Sequence, residues 1–214
     1  MGSGALNKEQ LMGSLRGNVK ESVIAAMSRV PRELFLPVAL KSRAYEDTPL
    51  PIGLDQTISA PHMVAIMCDL LDLQPGMTVL EVGGGSGYHA AVMAEMVGSD
   101  GMVYSVERKP ELVAAARRNL ESAGIANVTM IEADGSLGLA EHAPYDRISV
   151  AAAAPKVPEP LKQQLKVGGK MVLPVGRDYQ DLYLVTRKNG FSIEEKMGVI
   201  FVPLIGKEGF KEQI

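Results

Sequence analysis

The sequence has 214 residues, 46% hydrophobic and 22% charged, which suits one soluble globular domain over residues 1–214 with ample apolar material for a core. A formal net charge of -3, no long basic run, no tryptophan and 5% aromatics exclude the phosphate-neutralising or base-stacking surface of a nucleic-acid binder. A single cysteine excludes a disulfide framework; His62, His89 and His142 share no metal-ligand spacing; no stretch nears the ~18 apolar residues of a membrane span.

In chain order, residues 6–30 read as helix, because Leu11, Leu15, Val19, Val23, Ile24 and Met27 recur near a 3.6-residue step. Gly17 and Asn18 favour a turn and split this stretch into two helices. Pro31 opens a short turn over 32–36. Residues 45–59, rich in Pro, Gly, Asp and Thr, predict an ordered loop or short hairpin. Residues 60–73 predict a helix with Pro61 in its first turn and Ser59 at or near its N-cap. Cys68 falls within it as a buried thiol, and His62 is read as structural.

From residue 77 the period changes. Strands are expected at 78–82, 102–106, 128–132, 146–150, 169–175, 181–187 and 197–203, with helices at 88–97, 110–123 and 158–166. This alternation implies βαβ units and a mostly parallel, doubly wound α/β sheet. No helix separates the last two strands, so a hairpin is expected to bring an antiparallel C-terminal strand into the sheet.

The richest segment is 79–88, Val-Leu-Glu-Val-Gly-Gly-Gly-Ser-Gly-Tyr. A strand runs into glycines at 83, 85 and 87 and then into a helix, so a ligand can approach bare backbone. A dinucleotide loop reads G-x-G-x-x-G. Here the spacing is G-x-G-x-G, and Glu81 would repel a pyrophosphate but can face an ammonium. S-adenosylmethionine carries an ammonium and a sulfonium. Glu107, about 20 residues past the last loop glycine, ends the next strand, where an acid can accept from both ribose hydroxyls. Asp134 follows the third strand and can receive an adenine amino group, with Gly135 clearing the ring's path. Each has a bland alternative: a tight turn, a solvated acid, a turn-forming Asp-Gly pair. Their order over three successive strand ends favours the joint reading. The glycine spacing and Glu81 speak against a nicotinamide oxidoreductase. Thr57 and Ser59 have no partner base, so a nucleophilic serine is not expected.

With these pieces together the chain resembles the protein-L-isoaspartate (D-aspartate) O-methyltransferase family over about residues 8–206. The most specific piece is 57–63, Thr-Ile-Ser-Ala-Pro-His-Met. Supporting pieces lie at 81–88, 107–108, 143–147, 151–155, 164–169, 173–176 and 201–204. The resemblance implies a class I, Rossmann-like methyltransferase fold, with N-terminal helices and a substrate/lid segment over 6–75 and the cofactor-binding core over 76–206. It implies S-adenosyl-L-methionine as cofactor, S-adenosyl-L-homocysteine as product, and no metal. Glu81, Gly83, Gly85 and Ser86 would border the methionine part, Glu107 the ribose, and Asp134 with Gly135 the adenine. Gln56, Thr57 and Ser59 would form the lid, with Thr57 and Ser59 as the catalytic pair and Ser59 beside the carboxylate to be methylated. Residues 151–155, Ala152 among them, and Val202, Pro203 and Leu204 would hold the peptide. The implied activity is methylation of L-isoaspartyl and D-aspartyl carboxylates in damaged proteins and peptides, with repair through a succinimide. A cytoplasmic monomer is expected. Asp55 stands where the family has Gly or Gln, next to an anionic substrate. Gly84 replaces a Thr or Ser and is expected to loosen the loop; Ala133 and Ala151 replace Gly and Thr.

Overall fold

The computed structural model describes residues 7–211. The chain enters through two helices, α1 (Lys8–Leu15) and α2 (Glu21–Arg29). Asn7 and Gln10 form a reciprocal capping box at the start of α1. Gly17, at φ +82°, separates the two helices, as expected from a residue without a Cβ. Short 3-10 turns follow at Arg32–Phe35 and, unforeseen by the sequence pattern, at Val38–Arg43.

Residues 45–59 include a hairpin of β1 (Leu50–Gly53) and β2 (Gln56–Ile58). Its turn holds Leu54 and Asp55 at φ 54° and 58°, the left-handed region that two-residue hairpin turns demand. Helix α3 (Pro61–Leu71) follows, with Ser59 beside its N-cap but supplying no hydroxyl cap. The N-cap is Ala60, not Ser59, and it makes no side-chain cap bond. Asp47 takes that part from outside the helix: its Oδ1 accepts from the His62 backbone N–H at 2.9 Å and lies 2.9 Å from His62 Nδ1.

The remainder alternates: β3 (Thr78–Val82), α4 (Tyr88–Val97), β4 (Met102–Glu107), α5 (Pro110–Ser122), β5 (Val128–Glu132), β6 (Tyr145–Val150), α6 (Glu159–Gln164), β7 (Leu165–Gly176), β8 (Gln180–Arg187) and β9 (Phe191–Val199). The sheet order is β5-β4-β3-β6-β7-β8-β9, parallel from β5 through β7, with β8 antiparallel to both neighbours. The doubly wound, mostly parallel sheet with a C-terminal antiparallel hairpin therefore holds.

Two boundaries move. The helix expected at 158–166 stops at Gln164, because Leu165 already pairs with Tyr145 in the sheet. The last strand runs over Phe191–Val199, not 197–203, since Arg187 pairs with Phe191 directly across the turn. β9 is exposed from Phe191 to Gly198, so no inside–outside alternation marks it in the sequence. The apolar residues beyond Val199 belong to an extended segment outside the ladder.

The sheet separates two apolar cores. One holds α1 to α4 with Val79, Val103 and Val172; the other holds Leu80, Val82, Val106, Ile148 and Leu173. Alternation along β3 thus sends Glu81 to the same face as Val79, towards α4.

Candidate functional site

The glycine loop lies where β3 gives way to α4. Gly83, Gly85 and Gly87 take φ values of +89°, +52° and +87°, which other residues reach only under strain. The N–H groups of Gly83 and Gly84 donate to Val106 O at 2.8 and 3.1 Å, tying the loop to the end of β4. Glu107 closes the arrangement: its Oε2 accepts from Gly85 N and its Oε1 from Lys109 N, both at 3.0 Å. Each carboxylate oxygen keeps a further acceptor site, so a vicinal diol still finds a partner.

Gly84 does not loosen this loop. It is buried, and a Cβ there would lie 2.4 Å from Ser105 Oγ and 2.7 Å from Met130 Cε. A side chain would push the Ser105 hydroxyl away from its acceptor. Gly135 is likewise forced, because a Cβ would lie 2.5 Å from Val82 Cγ1.

The acceptor of Ser105 is Glu81. The two residues sit opposite each other in the β3–β4 register, and the Ser105 hydroxyl donates to Glu81 Oε2. Glu81 is fully buried, and its other oxygen, Oε1, makes no hydrogen bond; it lies 3.5 Å from His89 Nδ1 on α4. His89 Nε2 is also without a partner. Burial pushes the Glu81 carboxyl up to about 8, opposed by the Ser105 hydrogen bond and reinforced by Glu107. Burial holds His89 down at about 4, so the imidazole is neutral and does not neutralise Glu81. A buried acid with an orphaned oxygen beside a ligand cleft is poised for a cationic group.

That cleft is a space of about 900 Å3, open to solvent, at the carboxyl ends of β3, β4 and β6. Among the residues singled out from sequence, Gln56, Thr57, Ser59, Glu81, Gly83, Gly85, Ser86, Glu107, Gly135, Ala152, Val202, Pro203 and Leu204 all border it. Asp134 does not. Its Oδ1 accepts from the Ser136 N–H and hydroxyl, at 3.0 and 2.7 Å, and its Oδ2 from Lys207 N at 2.8 Å. The carboxylate, held low chiefly by the Ser136 hydrogen bond against a burial penalty, thereby pins the C-terminal segment. Asp55 also stays off the cleft wall, in the exposed turn between β1 and β2.

The hairpin side of the cleft rests on a residue the sequence pattern did not single out. Arg32 is fully buried; its Nε donates to Ala44 O and its Nη2 to Ser59 O, both at 2.8 Å. The guanidinium lies 4.7 Å from the centre of the Tyr88 ring, and Tyr88 starts α4 and borders the cleft. Arg32 therefore couples the position of Ser59 to the glycine-loop helix. Neither Arg32 nor Ser105 carries a local signal of this role, because a charged residue in a turn and a serine in a strand are both read as surface groups. The opposite wall is stitched together by Ala151 N to Val82 O, Ala153 N to Val202 O and Leu204 N to Ala153 O, each at 2.8 Å. No group of three or more His, Cys, Asp or Glu among the described residues is arranged to hold a metal.

A family profile described as Protein-L-isoaspartate(D-aspartate) O-methyltransferase matches residues 6–209. A protein-L-isoaspartate O-methyltransferase of Methanothrix thermoacetophila is 68% identical over 97% of this chain and 99% of its own length. One from Methanococcoides burtonii is 61% identical, covering 94% and 100%. A structure from Plasmodium falciparum, assigned as a beta-aspartate methyltransferase and holding S-adenosyl-L-homocysteine, superposes with a TM-score of 0.84 at 31% identity, over 94% of this chain and 99% of that one. Fold, cleft and near full-length similarity agree: the chain belongs to the protein-L-isoaspartate(D-aspartate) O-methyltransferase family.

Proposed function

We propose that this protein methylates the free carboxylate of L-isoaspartyl, and of D-aspartyl, residues in damaged proteins and peptides, with S-adenosyl-L-methionine bound in the cleft. The carrying observation is that one cleft joins the glycine loop, Glu81 and Glu107 to the hairpin residues Gln56, Thr57 and Ser59. When bound, S-adenosyl-L-methionine supplies a methyl group carried on a sulfonium.

The residues present suit that cofactor. Glu81, on the cleft lining beneath the glycine loop, supplies the negative charge that faces its ammonium, Glu107 accepts from its ribose hydroxyls, and Gly135 borders the space for its adenine. Gly83, Gly85 and Ser86 complete the wall beside the methionine part. Asp134 acts on the adenine end through the segment it pins.

The acceptor is a carboxylate, ionised at neutral pH with a reference pKa of ~4, so it needs no general base. What the chain contributes is orientation and exclusion of water. The Ser59 hydroxyl orients the carboxylate, Thr57 and Gln56 cover it, and Ala152, Val202, Pro203 and Leu204 hold the peptide. The resulting ester closes to a succinimide as the neighbouring backbone nitrogen attacks it and methanol leaves; water then opens the ring partly to normal aspartate.

In this reading residues 6–75 supply the acceptor side and 76–206 the cofactor core of one domain. It works as a cytoplasmic monomer on isoaspartyl proteins, without nucleic-acid or membrane partners; the net charge of -3 supports the former exclusion. No helix among the described residues is long and apolar enough to cross a membrane.

The direct test offers the protein labelled S-adenosyl-L-methionine with an isoaspartyl peptide or its aspartyl twin. Label is expected in the isoaspartyl peptide alone. Equal labelling of both, or binding of cofactor without turnover on either, would overturn the proposal.

A further inference from the structure

The ladder between β8 and β9 ends with Gln180 opposite Val199. Because β7 is parallel to β6, its last residue Gly176, Gln180 and Val199 all lie at the strand ends that form the cleft. One step beyond the ladder stand Tyr179 and Ile200, 92% and 96% exposed, the two most exposed large apolar side chains among the described residues.

Scattered exposed apolar residues are ordinary and need no ligand. This pair differs in its mounting and its place. Gln180 clamps the chain beside Ile200 from both sides, accepting from Phe201 N at 2.7 Å and donating to Phe201 O at 3.1 Å. The same amide donates to Arg177 O at 3.2 Å, and the Arg177 guanidinium lies 5.6 Å from the Phe210 ring centre. Gly176 permits the tight return of this loop: at φ +128°, a Cβ would lie 1.9 Å from Tyr179 O. Val199 and Phe201 pack against the core and leave Ile200 between them facing out. Two residues on, Val202 borders the cleft, and Pro203 is bridged to Ala153. The backbone that carries the pair is therefore pinned and continuous with the wall assigned to the peptide.

We propose that Tyr179 and Ile200 form an apolar outer step of the substrate groove and select isoaspartyl polypeptides that carry an apolar or aromatic side chain close to the modified residue. The inference rests on the methyltransferase reading, in which the acceptor is a polypeptide whose flanking residues must pass over the rim. Neither side chain borders the cofactor cleft, so both are specificity residues, not part of the transfer machinery.

The experiment compares isoaspartyl peptides flanked by Gly and Ser with peptides carrying Leu or Tyr one or two places to either side. The wild type is expected to favour at least one apolar-flanked peptide about tenfold in kcat/KM, mainly through KM, the low end of the ~10–200-fold range for apolar discrimination. Added salt should leave that preference unchanged, as apolar contact is not screened. The Tyr179→Ser, Ile200→Ser double variant should lose the preference to within about twofold and methylate the Gly/Ser peptide as the wild type does. A preference retained in the variant, a wild type with no preference, or an equal loss on every peptide would each overturn the assignment. Failure of the wild type on every isoaspartyl peptide would instead remove the methyltransferase reading, and this inference with it.

Discussion

Ser59 and Glu81 divide the chemistry at the scale of single residues. Ser59 is held through its carbonyl by Arg32, and in the proposed reaction its hydroxyl orients the acceptor carboxylate. Ser59→Ala should lower kcat about tenfold or more while cofactor affinity, measured by calorimetry, stays within about twofold, since an orienting hydrogen bond is worth ~1–3 kcal/mol. A parallel loss of cofactor binding would count against the role. Glu81 predicts a linkage. Its carboxyl, raised to about 8 by burial, keeps a proton at neutral pH until a cation arrives. Cofactor binding near pH 7 should therefore release up to about one proton, visible as a binding enthalpy that depends on buffer ionisation, and affinity should rise between pH 6 and about 8. Glu81→Gln should abolish both effects. The sign for stability is opposite: the folded state holds a proton that the unfolded chain loses above ~pH 4.5, so Glu81 costs stability as pH rises to about 8. His89, held down at about 4, adds stability as pH rises from there to ~6.5. The two oppose each other below ~6.5, and above it only the Glu81 loss remains.

Elements explain which side chains reach the cleft. The β1–β2 hairpin carries Gln56, Thr57 and Ser59 to its edge, and α3 anchors the hairpin's far end. That helix is capped by Asp47 from outside, so Asp47→Ala should destabilise the protein by about 1 kcal/mol, read in chemical denaturation, as loss of a cap does. An unchanged midpoint would show that water replaces it. The C-terminal segment behaves similarly: Asp134 accepts from Lys207 N, and a Cβ on Gly206 would lie 2.1 Å from Asp134 Oδ1. Asp134→Ala should weaken S-adenosyl-L-methionine binding about tenfold by freeing the segment, with Ser59-dependent turnover at saturation little changed. Unaltered cofactor affinity would remove Asp134 from the site. Helices α1, α2, α3 and α5 were legible from apolar residues at helical spacing, and β3 and β6 from short apolar runs that the sheet buries on both faces. β9 was not, since exposure on both faces erases the alternation.

Across the whole molecule, the sheet order brings three strand ends, a hairpin from the first third of the chain and a segment from its last tenth around one cleft. Ligand that binds only this assembled state must stabilise it. At a concentration 100 times its Kd, S-adenosyl-L-homocysteine should add about 2.7 kcal/mol to unfolding, seen as a raised Tm. No shift would mean that the cleft does not hold the cofactor product. The sequence by itself determined the alternating architecture, the glycine loop and the acids at successive strand ends, because periodicity and backbone freedom are local properties. Only the tertiary structure decided that Glu81 is buried with one oxygen unpaired, that Gly84 packs against Ser105 and Met130, that Arg32 steadies Ser59, and that Asp134 holds the C-terminal segment and stays off the cleft lining. Those outcomes depend on which distant residues meet, and desolvation and hydrogen-bond partners exist only once they have met.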